Sequence, residues 1–169
     1  MDTIEMTAPF SATPDEGETT WFQPNRMVVK ATAAATGGSF GLVESWIAAG
    51  SSPPLHVHHR EDESFWVLEG RVRFRCGDED VVAGPGSFVF APRDVPHTFV
   101  VEGDEDAHML TLLTPGGGEQ FFLDAGRTPD GPGLPPAGPP DVAKLRQVAP
   151  LYGMEILGPP LAPGGSPSA

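Results

Sequence analysis

Residues 53–70, PPLHVHHREDESFWVLEG, place side chains that resist burial directly beside side chains that require it. Three of the chain's five histidines stand within four positions, and four acidic residues follow in the next eleven. The apolar run from Phe65 to Leu68 belongs in a core, so the polar residues either face water or have a partner inside the protein.

The histidines and acids have a spacing that matters in a β-strand, where successive side chains alternate between two faces. His56 and His58 therefore share a face, and Glu63 shares one with Phe65 and Val67. We expect the turn HRED to return the chain antiparallel, which brings Glu63 beside His58. An unpaired carboxylate among apolar side chains costs on the order of several kcal/mol, so a cation is its natural partner.

A fourth candidate ligand follows in residues 84–101, GPGSFVFAPRDVPHTFVV, where another strand begins at His97. If that strand lies next to the first hairpin, three imidazoles and one carboxylate converge. These residues are the predicted metal ligands: His56, His58, Glu63 and His97. Such a donor set suits divalent Fe, Ni, Mn, Cu or Co and leaves coordination positions open for a substrate or oxygen.

The chain as a whole has the pattern of an all-β domain. Short segments rich in Val, Phe and Leu recur about every ten residues between Gly, Pro and Asp clusters, which predicts an antiparallel sandwich or barrel. We predict a mobile arm over 1–20, the barrel over 21–115, a short helix over 116–127, a Pro/Gly linker over 128–140, a C-terminal helix over 141–157 that packs on the barrel, and a disordered tail over 158–169.

Two stretches resemble the conserved motifs of the cupin family. Residues 50–70, GSSPPLHVHHREDESFWVLEG, are similar to the first motif, with its Gly, His-x-His, Glu and closing Gly in place. Residues 86–97, GSFVFAPRDVPH, are similar to the second motif. Asp94 stands where that motif usually has Gly, and Val101 stands where Asn is common, but neither position is a ligand.

The resemblance implies a small jelly-roll barrel with the four residues above as metal ligands. The sharpest hypothesis is a dioxygenase that resembles the single-domain, quercetinase-like cupins, in which Glu63 would be both a metal ligand and the catalytic proton acceptor. The substrate would be an aromatic, flavonol-like or enolisable small molecule. Two alternatives stay open, namely a metal-assisted isomerase or cyclase, and a non-catalytic small-molecule-binding cupin.

Other aromatic, histidine and acidic residues have simpler interpretations. Phe65 and Phe99 share faces with proposed ligands, so we expect them to line the substrate pocket. His59 and His108 are expected at the surface, and Glu61 is expected to be a turn residue, or a ligand if the hairpin register shifts. Trp66 points outward by alternation, and covering such a face favours a homodimer.

Composition excludes several classes of partner. Lys and Arg total 10 against 23 Asp and Glu, a formal charge of −13, so nucleic acid and anionic membrane surfaces are repelled. We find no apolar run of signal-peptide or membrane-spanning length and predict a cytoplasmic protein. A single cysteine, Cys76, excludes a disulfide within the chain.

Overall fold

A computed structural model describes residues 8–138 and 140–165 of the chain; residues 1–7, 139 and 166–169 lie outside the description. The described residues form eleven β-strands, two short α-helices and a 3₁₀ turn. The strands are β1 (Glu18–Phe22), β2 (Asn25–Ala31), β3 (Gly41–Ile47), β4 (Pro54–His58), β5 (Asp62–Glu69), β6 (Val72–Cys76), β7 (Glu79–Ala83), β8 (Phe88–Ala91), β9 (His97–Val101), β10 (Ala107–Thr114) and β11 (Met154–Pro160). The helices are α1 (Glu119–Ala125) and α2 (Val142–Val148), and the 3₁₀ turn covers Ala149–Tyr152.

The strands form two antiparallel sheets that close the jelly-roll barrel predicted from the sequence. One sheet has the order β1-β2-β3-β10-β5-β8, and the other has the order β11-β4-β9-β6-β7. Strands β3 and β10 alternate strictly between buried and half-buried residues, as expected for strands with one face on a core. The core between the sheets includes Val43, Val67 and Leu113, whose side chains have no exposed surface.

The prediction that the two strands of the opening stretch pair as a hairpin is wrong. β4 belongs to the five-stranded sheet and β5 to the six-stranded sheet, so the turn between them crosses from one sheet to the other. Instead, β4 pairs with β9, and His56 stands opposite His97 in that register. Glu63 therefore approaches His58 from the facing sheet, since the barrel interior lies between the two.

The C-terminal segment also differs from the prediction. Residues 154–157 were expected in a helix and residues 158–160 in a disordered tail, but together they form β11, which pairs with β4. The predicted N-terminal arm is shorter than expected as well, because β1 already begins at Glu18. Residues 1–7 of the arm and 166–169 of the tail lie outside the described residues.

Each helix begins inside its predicted range, but α2 ends at Val148, well before the predicted end at 157. α1 falls within the predicted range, and α2 follows Asp141, whose carboxylate accepts a hydrogen bond from the Lys144 backbone N–H at 3.0 Å and so caps the helix. Residues 128–138 between them contain no helix or strand. Each helix has seven residues, too few to cross a membrane, and the described residues contain no longer apolar helix.

Two turn residues show why particular positions of the cupin motifs favour glycine. Gly70 has a φ of 83°, and a Cβ atom there would lie 2.7 Å from the Asp106 carbonyl oxygen, so both conformation and space require glycine. Asp94, which replaces the usual Gly, has a φ of 64°. The motif departure therefore leaves the turn in the left-handed conformation that glycine ordinarily provides.

Trp66 lies on the outer face of the barrel, as its alternation predicted. It is 47% exposed, and Phe88 and Phe90 on neighbouring β8 are also exposed. In the register of the two strands Trp66 stands opposite Phe88. These three rings form an apolar strip at the edge of the six-stranded sheet, and the homodimer expected to cover it stays a prediction.

Candidate metal centre and cavity

The four predicted ligands come together inside the barrel. His56 and His58 lie on β4, His97 begins the neighbouring strand β9, and Glu63 reaches them from β5 on the facing sheet. One potential ligand atom from each residue lies within 4.8 Å of the others. Glu63 Oε2 is 2.9 Å from His97 Nε2 and 3.3 Å from His58 Nε2.

These side chains are enclosed by protein. His58, Glu63 and His97 are all less than 5% exposed, and His56 is half-buried. The imidazole rings of His56 and His97 have centroids 4.6 Å apart. Three polar rings packed so closely around one carboxylate are costly to bury unless they share a cation or protons.

Each imidazole is oriented through its Nδ1 atom, which leaves Nε2 for the centre. Nδ1 of His56 lies 2.7 Å from the Pro54 carbonyl oxygen, and Nδ1 of His97 lies 3.0 Å from the Val95 carbonyl oxygen. Because a carbonyl oxygen only accepts hydrogen bonds, both Nδ1 atoms carry the proton. Their Nε2 atoms then face the centre, the arrangement usual for metal-binding histidines.

The third imidazole is held by a carboxylate that sequence reasoning did not assign to the site. Nδ1 of His58 lies 2.6 Å from Oε1 of Glu61, and Glu61 is only 3% exposed. Glu61 lies in the turn between β4 and β5, as expected, but its side chain is a buried partner of a ligand. A Cβ atom at Gly118 would lie 2.6 Å from the same Oε1, so glycine at that position leaves room for the carboxylate.

Burial and the neighbouring charges shift the pKa values of three of the four proposed ligands. Burial, and then the neighbouring His97 and His58, lower the pKa of His56 to about 3, so it is neutral near pH 7. Burial alone raises the pKa of Glu63, but the imidazoles around it outweigh burial and the pKa is lowered. For His58, burial lowers the pKa, while the carboxylates of Glu63 and Glu61 outweigh that effect and raise it. The centre thus combines an ionised carboxylate with a neutral His56, and a divalent transition metal bound there would displace the proton that the raised pKa favours on His58.

A largely apolar cavity opens beside this centre. Phe65 and Phe99, the two predicted pocket residues, both line it together with His56, His58 and Glu63. The other lining side chains are mostly aliphatic or aromatic: Phe22, Met27, Ile47, Pro53, Pro54, Met109, Phe121, Phe122, Leu145, Ala149, Met154 and Ile156, with Gln23, Asn25, Ser45 and Thr111 as the polar exceptions. No Lys or Arg is among the described lining residues.

The C-terminal elements complete the wall of the cavity. The buried side chains of Leu145 on α2 and Ala149 after it both line the cavity, as does Phe121 on α1. The helix that we expected to pack on the barrel therefore packs across the cavity itself. Tyr152, at the end of the 3₁₀ turn, ties this layer to α1 through a hydrogen bond from its hydroxyl to Asp124.

The two remaining histidines lie outside the centre. His59 is exposed, and its Nδ1 atom is 2.6 Å from Asp94 Oδ1. His108 contacts Glu44 at 2.9 Å and stacks on Trp46 on the outside of the sheet. Neither belongs to the cluster of potential ligands.

Several solved structures have a similar fold. KdgF from Halomonas sp. gives a TM-score of 0.60 at 18% identity, covering 67% of this chain and 99% of that one. An RmlC-like cupin from Shewanella frigidimarina gives 0.58 at 16% identity, covering 68% and 99%. A predicted oxalate decarboxylase from Thermotoga maritima gives 0.56 at 19% identity, covering 63% and 99%. At these identities the likeness shows only that the fold is shared.

No curated protein matches the sequence. The family model described as the cupin domain matches residues 44–113, a span that contains β4, β5 and β9 and so all four potential ligands. The two motifs, the jelly-roll barrel and the family match agree with one another, and residues 44–113 are therefore similar to the cupin domain.

Proposed function

We propose that this protein is a cupin and a metal-dependent dioxygenase acting on an aromatic, flavonol-like or enolisable small molecule. The observation that carries the proposal is the convergence of three imidazoles and one carboxylate at the wall of an apolar cavity. The proposed ligands of the divalent metal are His56, His58, Glu63 and His97. A redox-capable metal there would acidify a substrate hydroxyl and bring the substrate and oxygen together.

Glu63 is the proposed proton acceptor. Its lowered pKa keeps it ionised near neutral pH, so it can receive a proton from a substrate hydroxyl such as that of an enol or a phenol. Removing that proton raises the electron density of the substrate, which its reaction with oxygen requires.

The cavity supports a neutral, apolar substrate. Phe65 and Phe99 lie 6.0 Å apart between ring centroids in an edge-to-face arrangement, which gives two apolar walls next to Glu63. Because no described lining residue is cationic, a phosphorylated substrate would bury its charge without a partner away from the metal. The net charge of −13 disfavours such anions further.

The test begins with metal content, measured by mass spectrometry on full-length protein purified without a metal-binding tag. We expect close to one equivalent of Fe, Ni, Mn, Cu or Co, either as purified or after reconstitution. Oxygen consumption is then measured with a flavonol or a dihydroxyaromatic as substrate. Protein that binds no metal on reconstitution would refute the proposed centre, and metal-loaded protein that consumes no oxygen would refute the dioxygenase.

A metal-assisted isomerase or cyclase is the second candidate, because Glu63 is the only carboxylate among the described cavity-lining residues and could serve as the single base for enolisation. This reaction needs no oxygen. Conversion of an enolisable ketone under anaerobic conditions would favour it, whereas ligand binding with no turnover in either atmosphere would favour a non-catalytic binding cupin.

A further inference from the structure

Gln23 has a side-chain nitrogen without a partner at the cavity. Its Nε2 atom is buried and has no hydrogen-bond partner among the described residues, and Gln23 lines the same cavity as Glu63 and His56. Buried amide groups in proteins are nearly always hydrogen-bonded, because an unpaired one has lost its water without replacement. The unpaired donor therefore points to a ligand.

The backbone at Gln23 is also in an unfavourable conformation. Gln23 and Pro24 form the two-residue turn between β1 and β2, in which Phe22 pairs with Asn25. The φ of Gln23 is 57°, in the left-handed region where such turns ordinarily use Gly, Asn or Asp. A long amide side chain is not what the turn itself requires, and strained residues of this kind are concentrated at ligand sites.

A nearby amide shows the contrast. Asn25 also lines the cavity, but its Oδ1 atom accepts a hydrogen bond from the Ala48 backbone N–H at 3.1 Å, so it has a structural role. No hydrogen bond of this kind holds the Nε2 atom of Gln23. Of the two amides at this turn, Gln23 is the one whose donor is left for a bound molecule.

We propose that Gln23 is a specificity-determining residue whose carboxamide donates a hydrogen bond to an uncharged acceptor oxygen of the substrate. The substrate class is then an apolar or aromatic molecule with two separate oxygen functions, one at the metal centre and one at Gln23. The acceptor is uncharged because no described cavity residue is cationic. The inference rests on the proposed function, which places one oxygen atom of the substrate at the metal centre. The role of Gln23 does not depend on whether the substrate reacts with molecular oxygen.

The test measures how tightly two flavonols bind to full-length, nickel-loaded protein under anaerobic conditions. Quercetin carries hydroxyl groups away from its metal-chelating hydroxyketone, whereas the parent flavonol carries none. We expect the wild type to bind quercetin about tenfold more tightly than the parent, the equivalent of one hydrogen bond. Gln23→Leu should remove this preference by weakening quercetin binding, with little change for the parent flavonol.

Thermal unfolding of the ligand-free protein supplies a second readout. Because Gln23→Leu replaces an unpaired buried donor with an apolar group, it should raise the unfolding temperature or leave it unchanged. Gln147→Leu is the matched control, since Gln147 is an exposed glutamine on α2, and it should change neither readout.

Three results would overturn the assignment: a preference for quercetin that survives in Gln23→Leu, a lower unfolding temperature of the ligand-free variant, or a wild type that binds neither flavonol when loaded with metal. Failure of the proposed function would give a different experimental result. If the preference depends on Gln23 but no oxygen is consumed, the dioxygenase is refuted while the role of Gln23 stands.

Discussion

Glu61 Oε1 and His58 Nδ1 lie 2.6 Å apart with both side chains buried, so the orientation of one proposed ligand depends on a carboxylate that is not itself a ligand. A carboxylate at this place fixes the ring and makes its other nitrogen more basic, which strengthens metal binding. The fourth donor, Glu63, approaches that nitrogen from the facing sheet. Glu61 is therefore a positioning residue of the centre.

Replacement of Glu61 should weaken metal binding without removing it. We expect Glu61→Ala to lower the affinity for nickel by about 10- to 100-fold, because His58 loses its orienting partner. Glu61→Gln keeps an acceptor oxygen and should lose less. Competition with a chelator measures both affinities, and Glu105→Ala, at an exposed glutamate, is the control. Equal affinities of Glu61→Ala and the control would show that Glu61 does not act on the centre.

Direct removal of a ligand should have a larger effect. Glu63→Gln preserves shape but removes the charge, and His97→Ala removes a nitrogen donor, so both should lose more affinity than Glu61→Ala. The barrel should remain folded, because its core lies between apolar strands. Metal content after reconstitution and circular dichroism measure the two effects. A variant with full metal occupancy would exclude that residue from the centre, and a variant that loses its fold would show that the barrel depends on it.

The sequence allowed the barrel and the clustering of the four candidate ligands to be predicted, because both follow from alternation along single strands and from motif spacing. It did not reveal which strands pair. The turn before Glu63 looks like a hairpin turn, yet it crosses between sheets, since in a jelly roll a strand can pair with a distant strand such as β9. Glu61 lies in that crossing, and the local sequence pattern does not show that its side chain is buried.

β11 was missed for another reason. Gly158 and two prolines in its last three residues argue against a strand, since proline cannot donate a hydrogen bond to a neighbouring strand. In the described sheet, β11 lies at the edge and pairs with β4 alone. Its prolines therefore face no second strand that would need a hydrogen bond from their backbone nitrogens. Edge position is a property of the assembled sheet, and a sequence pattern does not contain it.

The left-handed turn at Asp94 predicts an order of stability among variants. Asp94→Ala and Asp94→Gly both lose the contact with His59, so their difference isolates the backbone. Because the φ of 64° is unfavourable for alanine and free for glycine, we expect the Gly variant to be more stable by about 1 kcal/mol. Urea unfolding of the two variants measures this difference. A more stable Ala variant would contradict the left-handed conformation.

Tyr152 predicts how stability changes at high pH. Burial, and then the hydrogen bond to Asp124, raise its pKa from 10.0 to about 12. Between these values the unfolded chain releases the phenol proton and the folded chain keeps it. The free energy of unfolding therefore falls as pH rises through this window, while below it the contribution is constant. Tyr152→Phe lacks the group, so it should be less stable than the wild type near neutral pH, with a difference that shrinks at high pH.

The measurement is direct because Tyr152 is the only tyrosine of the chain, so phenolate absorbance in the ultraviolet reports on it alone. We expect the native protein to titrate well above the unfolded protein in urea. Asp124→Asn, which removes the charge beside the hydroxyl, should move the native midpoint back toward the ordinary tyrosine pKa. A native midpoint equal to that of the unfolded chain would mean that Tyr152 is not held against α1, and the C-terminal layer across the cavity would lose one of its attachments.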